Sequence, residues 1–159
     1  MISFKTFVVF SAFLPAFLGS SATAFAADPT GDPNAAIRKT NPGERALAEF
    51  ERVKKINSEL EIEHFTGLIK KDPKDAAAYA KRGKAYSALR DYASALKDYE
   101  QAIRLDPKHT DAYIGRAVAR FMQKDYDGSW QDVHKVESLG GEFWPSFMDA
   151  LKKSSGREK

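Results

Sequence analysis

The sequence contains no cysteine. That excludes disulfides, thiolate metal sites, a cysteine nucleophile and the lipid-bearing cysteine of a lipoprotein anchor. It leaves the compartment open, because disulfide-free proteins also occur where thiols would be oxidised. No run alternates apolar and polar residues for long enough to make a strand, so the fold class is all-α. No block of like charge appears either. The 25 basic and 22 acidic residues leave a formal charge of +3, and no basic stripe is interleaved with aromatics, so nucleic acid is not an expected partner. Histidine is scarce: His64, His109 and His134 lie far apart, and none has a second ligand at metal spacing. Gly140-Gly141 is not followed by the Lys-Ser/Thr of a phosphate-cradling loop, and there is no Gly-x-Ser-x-Gly elbow. Asp125 and Asp127 share a turn in which solvated capping carboxylates are the default and Ca²⁺ a remote alternative. No catalytic residues, cofactor or metal can be named, so the chain is not read as an enzyme.

What is present is a chain of 159 residues, 43% hydrophobic and 30% charged, enough for one globular domain with a modest core. Its first residues follow the order of a secretory signal. Lys5 and the free amine come first, then an apolar run from Phe7 to Leu18, then Gly19-Ser20-Ser21. Ala24-Phe25-Ala26 has the small-x-small form of a cleavage site, which predicts a signal peptide over residues 1–26. An uncleaved anchor is the alternative, but the run is shorter than the roughly 20 residues that span a bilayer. A periplasmic or secreted chain without a membrane span is therefore expected. Residues 27–43 hold Pro29, Pro33 and Pro42 and no apolar period, and read as a flexible leader or as an arm lying in a groove.

The body of the chain repeats itself. Tyr79 recurs as Tyr113, Arg82 as Arg116, Ala85 as Ala119, Asp91-Tyr92 as Asp125-Tyr126, Asp98 as Asp132 and Leu105 as Leu139, every time at an offset of 34. A fixed period of that size means stacked supersecondary units. Each unit holds two apolar-striped helices, from about Ala76 to Leu89 and from Tyr92 to Leu105, then from Thr110 to Lys124 and from Tyr126 to Leu139. Asp72-Pro73 and Asp106-Pro107 stop helices, and Gly140-Gly141 ends the last one. Upstream, Leu47, Phe50, Val53 and Ile56 fall three apart, a slowly drifting stripe that predicts a partly buried helix face. Ser58-x-x-Glu61 has a capping-box form, so residues 44–71 read as two helices or as one long helix. A short helix is expected from Pro145 to Lys153, followed by a polar frayed tail over 154–159. Trp130 and Trp144 are expected as core or cap anchors, with an exposed contact as the alternative for Trp144.

Small residues at Gly83, Ala95 and Ala102 would let the helices of a hairpin approach, with Tyr79, Tyr92 and Tyr99 filling the space between layers. Arg82 and Arg116 stand where an apolar residue is expected, and an aspartate follows each by 16 residues on the partner helix. This predicts the structural pairs Arg82–Asp98 and Arg116–Asp132.

Tyr79-x-x-Arg82-Gly83-x-Ala85-Tyr86, with Asp91-Tyr92-x-x-Ala95-Leu96-x-Asp98-Tyr99-x-x-Ala102-Ile103-x-Leu105-Asp106-Pro107, resembles a tetratricopeptide repeat (TPR) of the variant with arginine-glycine in its first helix. Residues 110–141 resemble a second repeat that departs at Ser129, Val133 and Val136 and has Gly141 in place of proline. Residues 44–75 resemble a divergent partial repeat, with Glu61 where a small residue is usual, and 142–153 a capping helix. The resemblance implies a short right-handed α-solenoid of about 2.5 repeats, whose first helices line a concave groove for a peptide or protein segment. The groove positions it implies are Ala77, Ala80, Lys84, Ser87 and Ala88, then Asp111, Ile114, Val118, Phe121 and Met122. Ala80, Ile114 and Val118 fall where some members carry the lysines and asparagines that clamp a terminal carboxylate, so chaperone-tail binding is not implied. The expectation is a non-catalytic interaction module of a bacterial cell envelope. A self-associating envelope assembly protein is the alternative, and an enzyme a remote one.

Overall fold

A computed structural model of the chain describes residues 41–157. The signal peptide, its cleavage site and the leader up to residue 40 lie outside the described residues. Six helices make up the remainder: α1 (Pro42–Lys71), α2 (Ala76–Ala88), α3 (Tyr92–Leu105), α4 (Thr110–Met122), α5 (Tyr126–Ser138) and α6 (Pro145–Ser155).

Polar residues at the N-termini explain why the helices start where they do. Side-chain oxygens of Asp75, Asp91 and Asp125 accept from the amides of Ala78, Ser94 and Gly128 at 2.9, 3.1 and 2.9 Å. Such caps contribute about 1 kcal/mol each. Asp72 and Asp106 stop α1 and α3 with nearly the same extended backbone, φ −132° and −134°, each held by the proline that follows. At the third equivalent place the chain has Gly140-Gly141, and Gly140 turns with φ +80°. Arg90 and Lys124, 34 residues apart, both take positive φ (62° and 65°) in the tight turns inside the hairpins.

Successive helices pack as antiparallel hairpins, α2 with α3 and α4 with α5, and the hairpins lie side by side through α3 with α4 and α2 with α4. The first core is built on small residues. Ala95, Ala102, Ala112 and Ala119 are fully buried around Tyr99, and Tyr79, Tyr86 and Tyr92 close its edges. Gly83 is small for a reason: a Cβ there would come within 3.0 Å of the Tyr99 ring and 3.2 Å of the Ala95 carbonyl. A second core joins Ala117, Trp130 and Val133 to Phe147 and Leu151 of α6.

The structure decides one alternative left open by the sequence and departs from the sequence reading at three places. Residues 42–71 form one continuous helix. Ser58 starts nothing, because its hydroxyl donates to the Lys54 carbonyl at 3.0 Å inside the helix. The capping box lies instead at Asn41 and Glu44, with Pro42 in the first turn, so the leader ends earlier than residue 43. The stripe of Leu47, Phe50, Val53 and Ile56 is exposed rather than partly buried, since none of the described elements reaches it. The frayed tail is partly ordered: α6 runs to Ser155, whose hydroxyl accepts from Trp130 Nε1 at 3.0 Å, and Arg157 pairs with Asp127 at 2.8 Å.

Candidate functional site

α2 and α4 run alongside each other and leave a concave groove of about 660 Å³ between them. α2 lines it with Ala77, Ala80, Lys81, Lys84 and Ser87. α4 adds Asp111, Ile114, Gly115 and Val118, with His109 just before its first turn. Tyr99 forms part of the floor, and half-exposed Trp144, from the segment that leads into α6, forms one end.

Seven of the sequence-derived groove residues therefore share one wall system: Ala77, Ala80, Lys84, Ser87, Asp111, Ile114 and Val118. Phe121 and Met122 do not join them. Phe121 is turned into the second core, with ring centroids 5.6 Å from Phe147 and 5.7 Å from Tyr126, because α6 covers that end of α4. Met122 is exposed beyond the groove, and Ala88 also lies outside its lining. Lys81, Tyr99, His109, Gly115 and Trp144 were not anticipated there. Repeat register offers a partial signal for one of them. Gly115 stands where the preceding repeat has Lys81, and the missing side chain admits the Tyr99 ring from the neighbouring hairpin; a Cβ at Gly115 would lie 2.6 Å from Tyr99 Cε1. Trp144 sits outside both repeats, so register could not place it.

The polar framework beneath the groove is saturated. Arg82 donates from Nε and Nη2 to both oxygens of Asp98 at 2.8 Å, and from Nη1 to Thr66 of α1 at 3.1 Å. Arg116 grips Asp132 in the same way, at 3.0 and 2.7 Å. Arg120 adds a third contact to Asp132 at 2.9 Å and donates to the Gly128 carbonyl at 3.0 Å. The two guanidiniums at positions 82 and 116 lie over Tyr79 and Tyr113, each 5.5 Å from the ring centroid. The Asp98 hydrogen bond raises the Arg82 pKa above the ordinary guanidinium value. Burial works to lower that of Arg116, but the bond and charge of Asp132 outweigh it and the net shift is upward. Burial also raises the Tyr99 phenol, offset in part by a contact of 3.4 Å with the Ser87 hydroxyl. These arginines are committed to structure, which leaves Lys81 and Lys84 as the cations lining the groove itself.

Among the described residues no three His, Asp or Glu side chains cluster as a metal site requires. His64 is exposed, His109 caps α4 through Nδ1 at 3.4 Å from the Ala112 amide, and His134 stacks on Trp130. Among the same residues, no helix is long and apolar enough to cross a membrane.

Residues 80–131, which run from within α2 to within α5, match the family model described as tetratricopeptide repeat. The two hairpins are tetratricopeptide repeats. Among TPR relatives, Hsp70-Hsp90 organizing protein 2 of Arabidopsis thaliana is 35% identical over 74 residues, which are 46% of this chain and 13% of that protein. Small glutamine-rich tetratricopeptide repeat-containing protein 2 of Saccharomyces cerevisiae is 34% identical over 95 residues, 60% of this chain and 27% of that one. The TPR chain thus spans only a minor part of the length of the curated relatives it matches. Of solved structures, the TPR2B domain of yeast Sti1 in its pHsp70 complex shares the fold, with a TM-score of 0.55 and 24% identity over 69% of this chain and 96% of that one. The second TPR of Spaghetti (RPAP3), bound to the HSP90 peptide SRMEEVD, has a TM-score of 0.50 and 29% identity over 57% of this chain and 98% of that one. The fold is a short α-solenoid of TPR hairpins closed by α6.

Proposed function

We propose that the α2–α4 groove binds a segment of another protein, and that the chain is a non-catalytic adaptor rather than an enzyme. The observation that carries this reading is the groove itself: an open, largely apolar channel above arginines that are already paired, so that it can hold but has little with which to react. The SRMEEVD peptide bound by the RPAP3 domain supports a peptide as the class of ligand. The lining distinguishes what this groove takes. Ala80, Ile114 and Val118 offer apolar contact, Trp144 an aromatic end wall, and Lys81 and Lys84 a basic edge. The ligand is a segment with apolar anchors and an acidic flank, not one held chiefly by its terminal carboxylate. With residues 1–26 acting as an export signal, that segment belongs to a protein of a bacterial cell envelope.

A photoreactive residue at Val118, in the groove, tests this in cells against one at exposed Lys97 on α3. Capture of a discrete partner from position 118 alone is expected. Equal capture from both positions would overturn the assignment of the groove.

A further inference from the structure

The exposed half of α1 presents a surface that the groove does not explain. Every residue from Asn41 to Asn57 is exposed. Within and just beyond that stretch Leu47 is 62% exposed, Phe50 64%, Val53 45%, Ile56 43% and Leu60 58%. A solitary helix of this length is marginal in water, because most helical stability comes from packing an apolar face. The face has a defined pattern. Phe50, Val53, Asn57 and Leu60 are spaced 3-4-3, the a, d, a, d positions of a heptad, with Leu47 and Ile56 beside them. At 3.6 residues per turn this stripe lies roughly 130° around the helix from Ser58, Ile62, Phe65 and Ile69, the side that α1 turns towards its own domain.

We infer that this stripe pairs with the same stripe of a second copy, in a parallel two-helix coil that makes the chain a homodimer. Charge favours the parallel register. Glu49 and Lys54 then occupy g and e positions that face one another across the pair, twice by symmetry. Their existing partners, Arg52 at 3.7 Å and Glu51 at 3.9 Å, are distant and exposed, and are readily exchanged. An antiparallel pair would set Lys54 against Lys54 and Glu49 against Glu63. Asn57 falls at a central a position, where two asparagines bond across a parallel pair and fix its register. Because the stripe points away from α2, the two solenoids sit on the outer flanks and leave both grooves open. At on the order of 100 Å² per apolar side chain, two copies bury about 1,000 Å², and the stems of Lys54 and Glu61 bring this to the lower range of specific interfaces. The dimer is therefore one that forms and dissociates with concentration.

Sedimentation velocity on the purified chain across a micromolar concentration series tests this without reference to the groove. A shift from the monomer mass to twice that mass is expected as concentration rises. The double change Phe50→Glu with Leu60→Glu should abolish the shift and lower helical circular dichroism, while the near-ultraviolet signal of the hairpins persists. The absence of native cysteine gives a second readout: Asn57→Cys should form an intermolecular disulfide on mild oxidation, and Lys55→Cys, off the stripe, should not. A monomer at every concentration overturns the inference, whether residues 1–40 or a different protein then covers the stripe. So does a dimer that survives the double change, or one in which Cys at 57 links no better than at 55.

Discussion

Arg82 and Arg116 occupy the same place in successive hairpins, yet Asp98 serves one arginine and Asp132 serves two. The difference follows from position in the stack. Arg82 shares its guanidinium with Thr66 of α1 and keeps 18% of its side-chain surface. In the second hairpin the residue that meets the carboxylate from the other side is Arg120 of the same helix, and the Asp132 side chain is only 2% exposed. The same motif is thus a single brace where another helix lies beside it, and a closed triad where the stack ends. The groove walls differ in parallel. The first hairpin supplies Lys81 and Lys84, and the second supplies Ile114, Gly115 and Val118.

Removing the carboxylates should separate the two hairpins most sharply. Asp132→Ala leaves two partly buried arginines without their acceptor and is expected to cost about 3–5 kcal/mol, measured by urea unfolding. Asp98→Ala, which leaves Arg82 its threonine and some water, should cost about 1–3 kcal/mol. Equal losses would show that the triad adds nothing to the brace. The next effect lies at the glycines that meet Tyr99. Gly115→Ala drives a methyl into the ring and should cost about 2–3 kcal/mol, while Gly83→Ala, with its nearest contact at 3.0 Å, should cost about 1 kcal/mol. A reversal of that order in thermal unfolding would mean that the ring yields towards α4 more easily than towards α2. Smaller, and opposite in sign, are Arg90→Gly and Lys124→Gly. Both relieve a left-handed backbone and should stabilise by about 0.5–1 kcal/mol, equally if the two turns are equivalent. The smallest effect is a pH dependence. Burial raises the folded pKa of Tyr99, so its contribution to stability is present below the ordinary tyrosine value of about 10 and is lost as pH rises through the folded value. Tyr99→Phe should flatten that part of the stability profile above pH 10.

The hairpins were legible in the sequence because every long-range feature recurs at a fixed offset. The position of Asp98 relative to Arg82 predicts that of Asp132 relative to Arg116, and the structure places both pairs in bidentate contact. What lay outside the period was harder to read. Ser58 and Glu61 look alike as a cap and as mid-helix residues, and only the bond from Ser58 to the Lys54 carbonyl distinguishes them. Register put Phe121 in the groove, because repeat position says nothing of a later helix packing over it. Trp144 joined the groove from a segment that no repeat contains. The drifting stripe on α1 was visible, but what it faces is set by tertiary structure, and there the exposed surface departed from the expectation.

The exchange of Asp-Pro for Gly140-Gly141 has a consequence for how copies of this chain add together. At that point the backbone swings back, and α6 lays Phe147 and Leu151 over the last hairpin. A filament needs two sticky ends, and α6 blunts one end of the described stack. Pairing through α1, as inferred above, would occupy the other, so growth would halt at a pair.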